Sequence, residues 1–306
     1  MKIVIALGGN ALGNNPDEQK EKVKIVADSI ADLIKDGHNI VITHGNGPQV
    51  GAISNAFQIA NGIDKLIPGM PLPESTAMSQ GYIGFHLQQA FHNRLKKSNI
   101  VTLVTQVIVS PDDPAFSNPT KPIGAFITEE KAKQIMKSEP EKTFIEDSGR
   151  GWRQVVASPK PKRIEEIDII KSLVDSGNLV IASGGGGVPV IEKDERLEAI
   201  DSVIDKDLSA AKLAEDLDAD LLVILTAVEK VAINFGKANQ SELRLETVSK
   251  MVDYSKGGHF AAGSMLPKVQ AAVEFVKKAN GKAVITSLEN ANNIFDEEKV
   301  TTIKKG

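Results

Sequence analysis

Residues 3–10 read Ile3-Val4-Ile5-Ala6-Leu7-Gly8-Gly9-Asn10, and residues 39–47 repeat the pattern as Asn39-Ile40-Val41-Ile42-Thr43-His44-Gly45-Asn46-Gly47. Each is an apolar run of strand length that opens directly into a glycine loop. Uninterrupted apolar runs suit strands covered on both faces, as in a parallel sheet. Glycine lets the backbone turn at positive φ and brings N–H groups close to an anion with no Cβ in the way, and a following helix adds the positive end of its dipole. Two such strands point to a phosphate site.

Working outward, the chain alternates strand, loop and helix. Val23, Val26, Ala27, Ile30, Leu33 and Ile34 fall at helical spacing within 17–35, and Gly37 ends that segment. Further helices are expected at 50–61, 74–97 and 129–138, and others begin near 165, 206 and 265. Further strands are expected at 100–105, 178–182, 220–226 and 282–286. The rhythm predicts an α/β fold with a mostly parallel sheet and ligands at the carboxyl ends of its strands. Residues 110–163 interrupt it, holding seven of the fourteen prolines and the single tryptophan, Trp152. Such a stretch reads as an excursion with its own turns and hairpins, either a lid or a structural elaboration.

Composition bounds the function. The 306 residues are 41% hydrophobic and 25% charged, enough for a full core, and a net charge of −4 argues against a nucleic-acid binder. There is no cysteine, so disulfides and thiolate metal sites are excluded. No apolar run approaches the roughly 20 residues that span a bilayer, and the first residues lack the pattern of a secretory leader, so a cytoplasmic protein without membrane or nucleic-acid partners is expected. The five histidines form no ligand pair, and His44 reads as a hydrogen-bonding loop residue rather than a metal ligand.

Gly45-Asn46-Gly47-Pro48-Gln49-Val50-Gly51 is a loose dinucleotide fingerprint, but the next strand closes with Thr105-Gln106 and not with an acid. Two more loops, Ser183-Gly184-Gly185-Gly186-Gly187 and Gly257-Gly258-His259 with Gly263, extend the pattern. Lys206, between Asp205 and Asp207, stands at one helix start; Lys268 follows Ser264, a plausible N-cap, and Pro267 at another. A lysine there opposes the helix dipole by roughly 0.3–1 kcal/mol, which a bound anion reverses. A third lysine, Lys121, sits among the prolines of 118–124. Taken singly, each glycine loop also suits a tight turn and each lysine a solvated surface.

Taken in order, residues 6–12, 44–51, 79–84, 119–124, 183–189, 204–207 and 264–268 resemble the motifs of the amino acid kinase family, and within it those of the carbamate kinases. The resemblance spans nearly the whole chain. It implies a single domain of 1–306, a three-layer α/β/α sandwich whose residues 1–200 serve mainly the phosphoryl acceptor and 201–306 mainly the nucleotide, with 110–163 as a protruding subdomain over the substrate end. The implied reaction is reversible phosphoryl transfer between ATP and carbamate, giving ADP and carbamoyl phosphate, run toward ATP in arginine catabolism by a cytoplasmic homodimer. Mg²⁺ would arrive on the nucleotide, with no dedicated protein site.

By the same resemblance, Lys206 and Lys268 contact the transferring phosphoryl group, Asp207 orients them, and Lys121 reaches in from the subdomain. Gly8, Gly9, Asn10, Gly45, Asn46, Gly47, Gly185 and Gly186 surround substrate and phosphate. Asp205, Thr226, Ala227, Val228, Val231, Phe235 and Met265 belong to the nucleotide half. Phe235 stands where the family commonly has Tyr, Ala232 where a larger residue is common, and Ala125 where Pro is frequent, so departures gather mostly on the nucleotide side. Other acceptors within the family, such as acetylglutamate or uridylate, and a non-catalytic nucleotide or amino-acid sensor on the same fold, are the alternatives.

Overall fold

Successive residues of strand Lys2–Leu7 divide between two cores, Val4 and Ala6 on one side and Ile3, Ile5 and Leu7 on the other. All five are essentially inaccessible to water. The same division runs through Asn39–His44 and Leu221–Thr226, which flank it in parallel register. This is why these strands lack polar alternation: each face of the sheet is buried under helices. The computed structural model describes residues 1–13, 15–96, 98–147 and 149–306, and the side chain of Asn10 is outside what is described.

The main sheet has eight strands, in the order Leu245–Thr247, Thr301–Lys304, Lys282–Ser287, Leu221–Thr226, Lys2–Leu7, Asn39–His44, Leu179–Ile181 and Ile100–Thr102. It is parallel except that Thr301–Lys304 runs antiparallel to Lys282–Ser287, and Leu245–Thr247 follows the direction of Thr301–Lys304. One core cluster joins a face of the sheet to helices Lys206–Asp216, Met265–Lys278 and Ile167–Asp175, and the other joins the opposite face to Pro16–Lys35 and Leu72–Leu95. The result is a three-layer α/β/α sandwich. Loops 8–9, 45–46, 183–187 and 227–228 leave the carboxyl ends of parallel neighbours and therefore gather on one edge.

The expected strand over 100–105 is shorter than the apolar run suggests. Ile100–Thr102 pairs with Leu179–Ile181, the chain then leaves the main sheet, and Gln106–Ile108 joins Val188–Lys193, Arg196–Ala199 and Arg163–Ile164 in a second, four-stranded sheet. The break is fixed by Gln80, whose side chain accepts from Thr105 N at 2.8 Å and donates to Thr105 O at 3.2 Å. Between Ile108 and Arg163 the chain makes an antiparallel sheet of Lys121–Ile127, Trp152–Val156 and Thr143–Glu146, with helix Glu129–Ser138. The helix expected to run to 97 ends at Leu95, and Lys97 lies outside the described residues.

Helix Leu72–Leu95 crosses strand Ile100–Thr102 where Gly84 faces Thr102: a Cβ on Gly84 would lie 2.2 Å from the Thr102 methyl. Overpacking of this kind costs about 1–3 kcal/mol. Urea unfolding of Gly84→Ala should show a loss of that size. Adding Thr102→Ala should return most of it, because Thr102 Oγ1 has no hydrogen-bond partner among the described residues to lose.

Candidate active site

Asp205 caps helix Lys206–Asp216, its Oδ1 accepting from the N–H groups of Asp207 at 2.9 Å and Leu208 at 3.2 Å. This fixes Lys206 and Asp207 in the first turn. The Lys206 ammonium group donates to Asp207 Oδ1, and Lys268, from the first turns of helix Met265–Lys278, donates to Asp207 Oδ2 at 3.1 Å. The stem of Lys206 passes over Gly45, where a Cβ would sit 3.2 Å from Lys206 Cδ. From the antiparallel insert, Lys121 reaches across 84 residues of sequence to donate to Asp205 Oδ2. Lys121, Lys206, Asp207 and Lys268 therefore meet at one place.

Asp207 is almost wholly buried, which by itself raises a carboxyl pKa; the Lys206 and Lys268 charges beside it outweigh that and hold it below the ordinary carboxylate value. Three lysines face two carboxylates there, a surplus of one positive charge. Two helix N-termini point the same way. The site is an anion receptor.

The glycines divide into two groups. Gly8 and Gly9 line a cavity of 570 Å³. Gly184, Gly185 and Gly186 are packed against protein: a Cβ would lie 2.3 Å from His44 Nε2, 2.1 Å from Asn46 Nδ2 and 2.3 Å from Ile204 O, respectively. The Gly186 N–H, expected to face an anion, instead closes the turn onto Ser183 O at 3.1 Å, and the Gly45 N–H is held by Leu7 O at 3.2 Å. These glycines let loops touch rather than donate. Gly47 opens helix Gly47–Ile63, and Asn46 donates from Nδ2 to Ser79 Oγ at 2.9 Å.

Loop 183–187 is tied from four sides that the sequence reading did not single out as site residues. Thr43 Oγ1 donates to Ser183 O, Ser183 N donates to Thr105 Oγ1, Ser183 Oγ pairs with Ser209 Oγ, and Gln80 Nε2 donates to Gly184 O, all within 3.0 Å. Their signal in sequence is only a polar residue inside an apolar element.

The cavity lies between the Gly8–Gly9 loop, the end of strand Leu221–Thr226 and the start of helix Met265–Lys278. Thr226, Ala227, Val228, Phe235 and Met265, the residues read as the nucleotide half, line it, and so does Lys268. Val231 does not line it: the residue is fully buried and its N–H donates to Thr301 Oγ1 at 2.9 Å. Asp205 is likewise absent from the lining, its carboxylate being engaged by its own helix and by Lys121. Lys230, His259, Phe260, Leu288 and Glu289 join the wall without having been expected. Phe235 is 69% exposed at the rim, and Ala232 is buried. Ser264 occupies the N-cap position but makes no side-chain capping bond.

Residues 1–287 match the model of the amino acid kinase family. Carbamate kinase of Staphylococcus haemolyticus is 52% identical over 311 residues, covering 99% of each chain, and that of Clostridium perfringens is 49% identical with full coverage of both. The solved structure of carbamate kinase from Giardia lamblia bound to AMP-PNP superposes with a TM-score of 0.91 at 44% identity, over 100% of this chain and 98% of that one.

His44, beneath these loops, is completely buried and its pKa is pushed down to about 4 by burial, against the hydrogen bond it makes from Nδ1 to Gly45 O at 2.9 Å. From pH 6.5 down to 4 the unfolded chain takes up a proton at this residue that the folded chain refuses, so stability falls by about 1.4 kcal/mol per pH unit. Unfolding measured at pH 6.5 and 4.5 should therefore show a drop smaller by about 2–3 kcal/mol in His44→Gln than in the parent. Equal drops would mean that His44 is not buried and neutral.

Proposed function

The chain belongs to the amino acid kinase family, and from that premise we propose that it transfers a phosphoryl group reversibly between ATP and carbamate, giving ADP and carbamoyl phosphate. It is an ATP-dependent phosphotransferase. The observation that carries the acceptor and the mechanism is the meeting of Lys206 and Lys268, from two helix starts, on the buried carboxylate of Asp207.

An anionic oxygen of carbamate attacks the γ-phosphorus of ATP as the bond to the β-bridging oxygen breaks. The nucleophile is already ionised, so no general base is needed, and catalysis reduces to alignment and charge neutralisation. Lys206 and Lys268 face the equatorial oxygens, where charge is greatest in the transition state, and Asp207 keeps both ammonium groups aimed without letting them neutralise each other. Lys121 covers the acceptor end from the insert, held by Asp205. The cavity along Thr226–Val228 and Met265 takes the nucleoside, and its size suits a nucleotide. Asn10 is assigned to the phosphate wall with Gly8 and Gly9 from its sequence position alone.

Mg²⁺ fits this site only as a passenger on the nucleotide phosphates. The nearby carboxylates Asp205 and Asp207 are already engaged by lysines, and among the described residues no group of three His, Cys, Asp or Glu side chains forms a cage. When bound, the ion supplies further positive charge to the phosphates.

The protein is assigned to the cytoplasm, where both nucleotides are available, and to the direction of ATP synthesis in arginine breakdown. Among the described residues no helix is long and apolar enough to cross a membrane. A homodimer is supported by exposed Ile59, Ile63, Leu66 and Ile67 at the end of helix Gly47–Ile63 and the turn after it, an apolar run that a second copy would cover.

ADP and carbamoyl phosphate should yield ATP in a coupled assay, whereas acetylglutamate or uridylate offered with ATP should not be phosphorylated. Lys206→Ala should lower kcat by about 10²–10³ with circular dichroism unchanged, and a kcat within a factor of about three of the parent would remove Lys206 from the mechanism. Sedimentation velocity should give the mass of two chains.

A further inference from the structure

Beneath the Gly8–Gly9 loop, three buried side chains from three helices form one polar string. His86 of helix Leu72–Leu95, Gln19 of Pro16–Lys35 and Gln49 of Gly47–Ile63 are at most 6% exposed. Gln19 Nε2 meets His86 Nδ1 at 3.1 Å, Gln49 Nε2 donates to Gln19 Oε1 at 3.2 Å, and the same nitrogen donates to Gly13 O at 3.1 Å. A side-chain amide nitrogen is only a donor, so His86 Nδ1 accepts and its ring carries a single proton, on Nε2. That lone pair sets the sense of every bond in the string.

Gly13 closes the loop that starts at Gly8. Ala11 N donates to Gly8 O at 3.0 Å and Leu12 N to Gly9 O at 3.2 Å, and the chain leaves at Gly13 with φ +69°, where a Cβ would lie 2.7 Å from the Glu18 Cβ. No side chain but hydrogen could occupy that corner. Gln49 Oε1, meanwhile, is buried with no hydrogen-bond partner among the described residues. A buried acceptor left bare is costly, and it identifies a string with a second arrangement available to it.

Protonation of His86 at Nδ1 sets two donors against each other. Turning the Gln19 amide over satisfies the imidazolium but presents Nε2 to Gln49; turning the Gln49 amide over then gives its bare Oε1 a partner and withdraws the donor from Gly13 O. The neutral arrangement makes three bonds and the protonated one two. Loss of the Gly13 tie frees the end of the loop whose glycines face the phosphates.

We infer that His86 is a positioning residue for phosphoryl transfer, its unprotonated Nδ1 holding the Gly8–Gly13 loop through Gln19, Gln49 and the Gly13 carbonyl. This rests on the phosphotransfer reading above. The other groups facing the ring are Lys20, beside Gln19 on its own helix and itself paired with Asp17, and Tyr82 and Phe85, with ring centroids 5.1 Å away. Burial first, and then the Lys20 charge, lower the His86 pKa below its ordinary 6.5, so the string changes state on the acid side of that value.

The full-length protein tests this. Asn at position 86 presents an oxygen near the place of Nδ1 and does not titrate. With carbamoyl phosphate and ADP, the kcat of His86→Asn divided by that of the parent should be about 1 near pH 7.5 and rise to about 3 or more at the acid pH where NMR shows His86 of the parent mostly protonated, the ratio cancelling ionisation of the substrates. Gln49→Leu, which has no donor for Gly13, should show a lowered kcat at both pH values with a smaller change in KM for ADP, and adding His86→Asn should change nothing further. By NMR, the backbone amide signals of Gly9, Ala11 and Gly13 should follow the His86 titration in the parent protein. A flat kcat ratio in a protein that turns over, or amide signals indifferent to His86, overturns the inference. Amide signals that titrate in a protein with no turnover would uphold the string and overturn the phosphotransfer reading instead.

Discussion

One buried carboxylate, Asp207, holds two ammonium groups that would otherwise repel each other and oppose the dipoles of their own helices. Burying a charge is expensive unless it is paired, and here each charge is the other's compensation. The arrangement makes demands on its surroundings. Helix Lys206–Asp216 must begin at the right residue, which the Asp205 cap secures, and Gly45 must lack a side chain so that the Lys206 stem can pass. The second helix must bring Lys268 to the far oxygen.

The glycine loops carry two kinds of physics that look the same in a sequence. At Gly9 the missing side chain leaves open space beside the cavity, while at Gly8 it lets the backbone lie against Leu225 O, where a Cβ would come within 2.8 Å, and at Gly184 to Gly187 against His44, Asn46, Ile204 and Val107. The second use is structural support for the first. By drawing four loops together at the sheet edge, close packing leaves the lysines and the first loop facing a common space.

The alternation of buried strands and amphipathic helices made the α/β fold and most element positions legible, because both faces of the main sheet are covered and its strands are uniformly apolar. What escaped depends on contacts distant in sequence. The apolar run after Ile100 serves two sheets, and only Gln80, from the preceding helix, divides it. Leu245–Thr247, at the sheet edge, and Thr301–Lys304, between it and Lys282–Ser287, are short strands with little pattern of their own. Lys206 and Lys268 could be suspected from their helix starts and Lys121 from the prolines that flank it, but the role of Lys121 follows only from family resemblance, since its partner is 84 residues away. Val231 lies beneath the cavity and not in its wall, and a hairpin residue in either position carries the same sequence signal. The ties from Thr43, Thr105 and Ser209 show in sequence only as polar residues among apolar ones, which does not say what they hold.

The insert and helix Gly47–Ile63 meet where Gly51 and Gly124 touch, so closely that a Cβ on Gly51 would lie 2.6 Å from the Gly124 Cα. The strand that carries Lys121 thus rests by its main chain on the helix that follows the second glycine loop. Seen as heredity, this is a constraint of omission. A lineage that places any side chain at Gly51 separates the two bodies and moves the lysine with them. Two hydrogen atoms, one on each glycine, set how closely descent must keep the insert to the helix if Lys121 is to keep its reach.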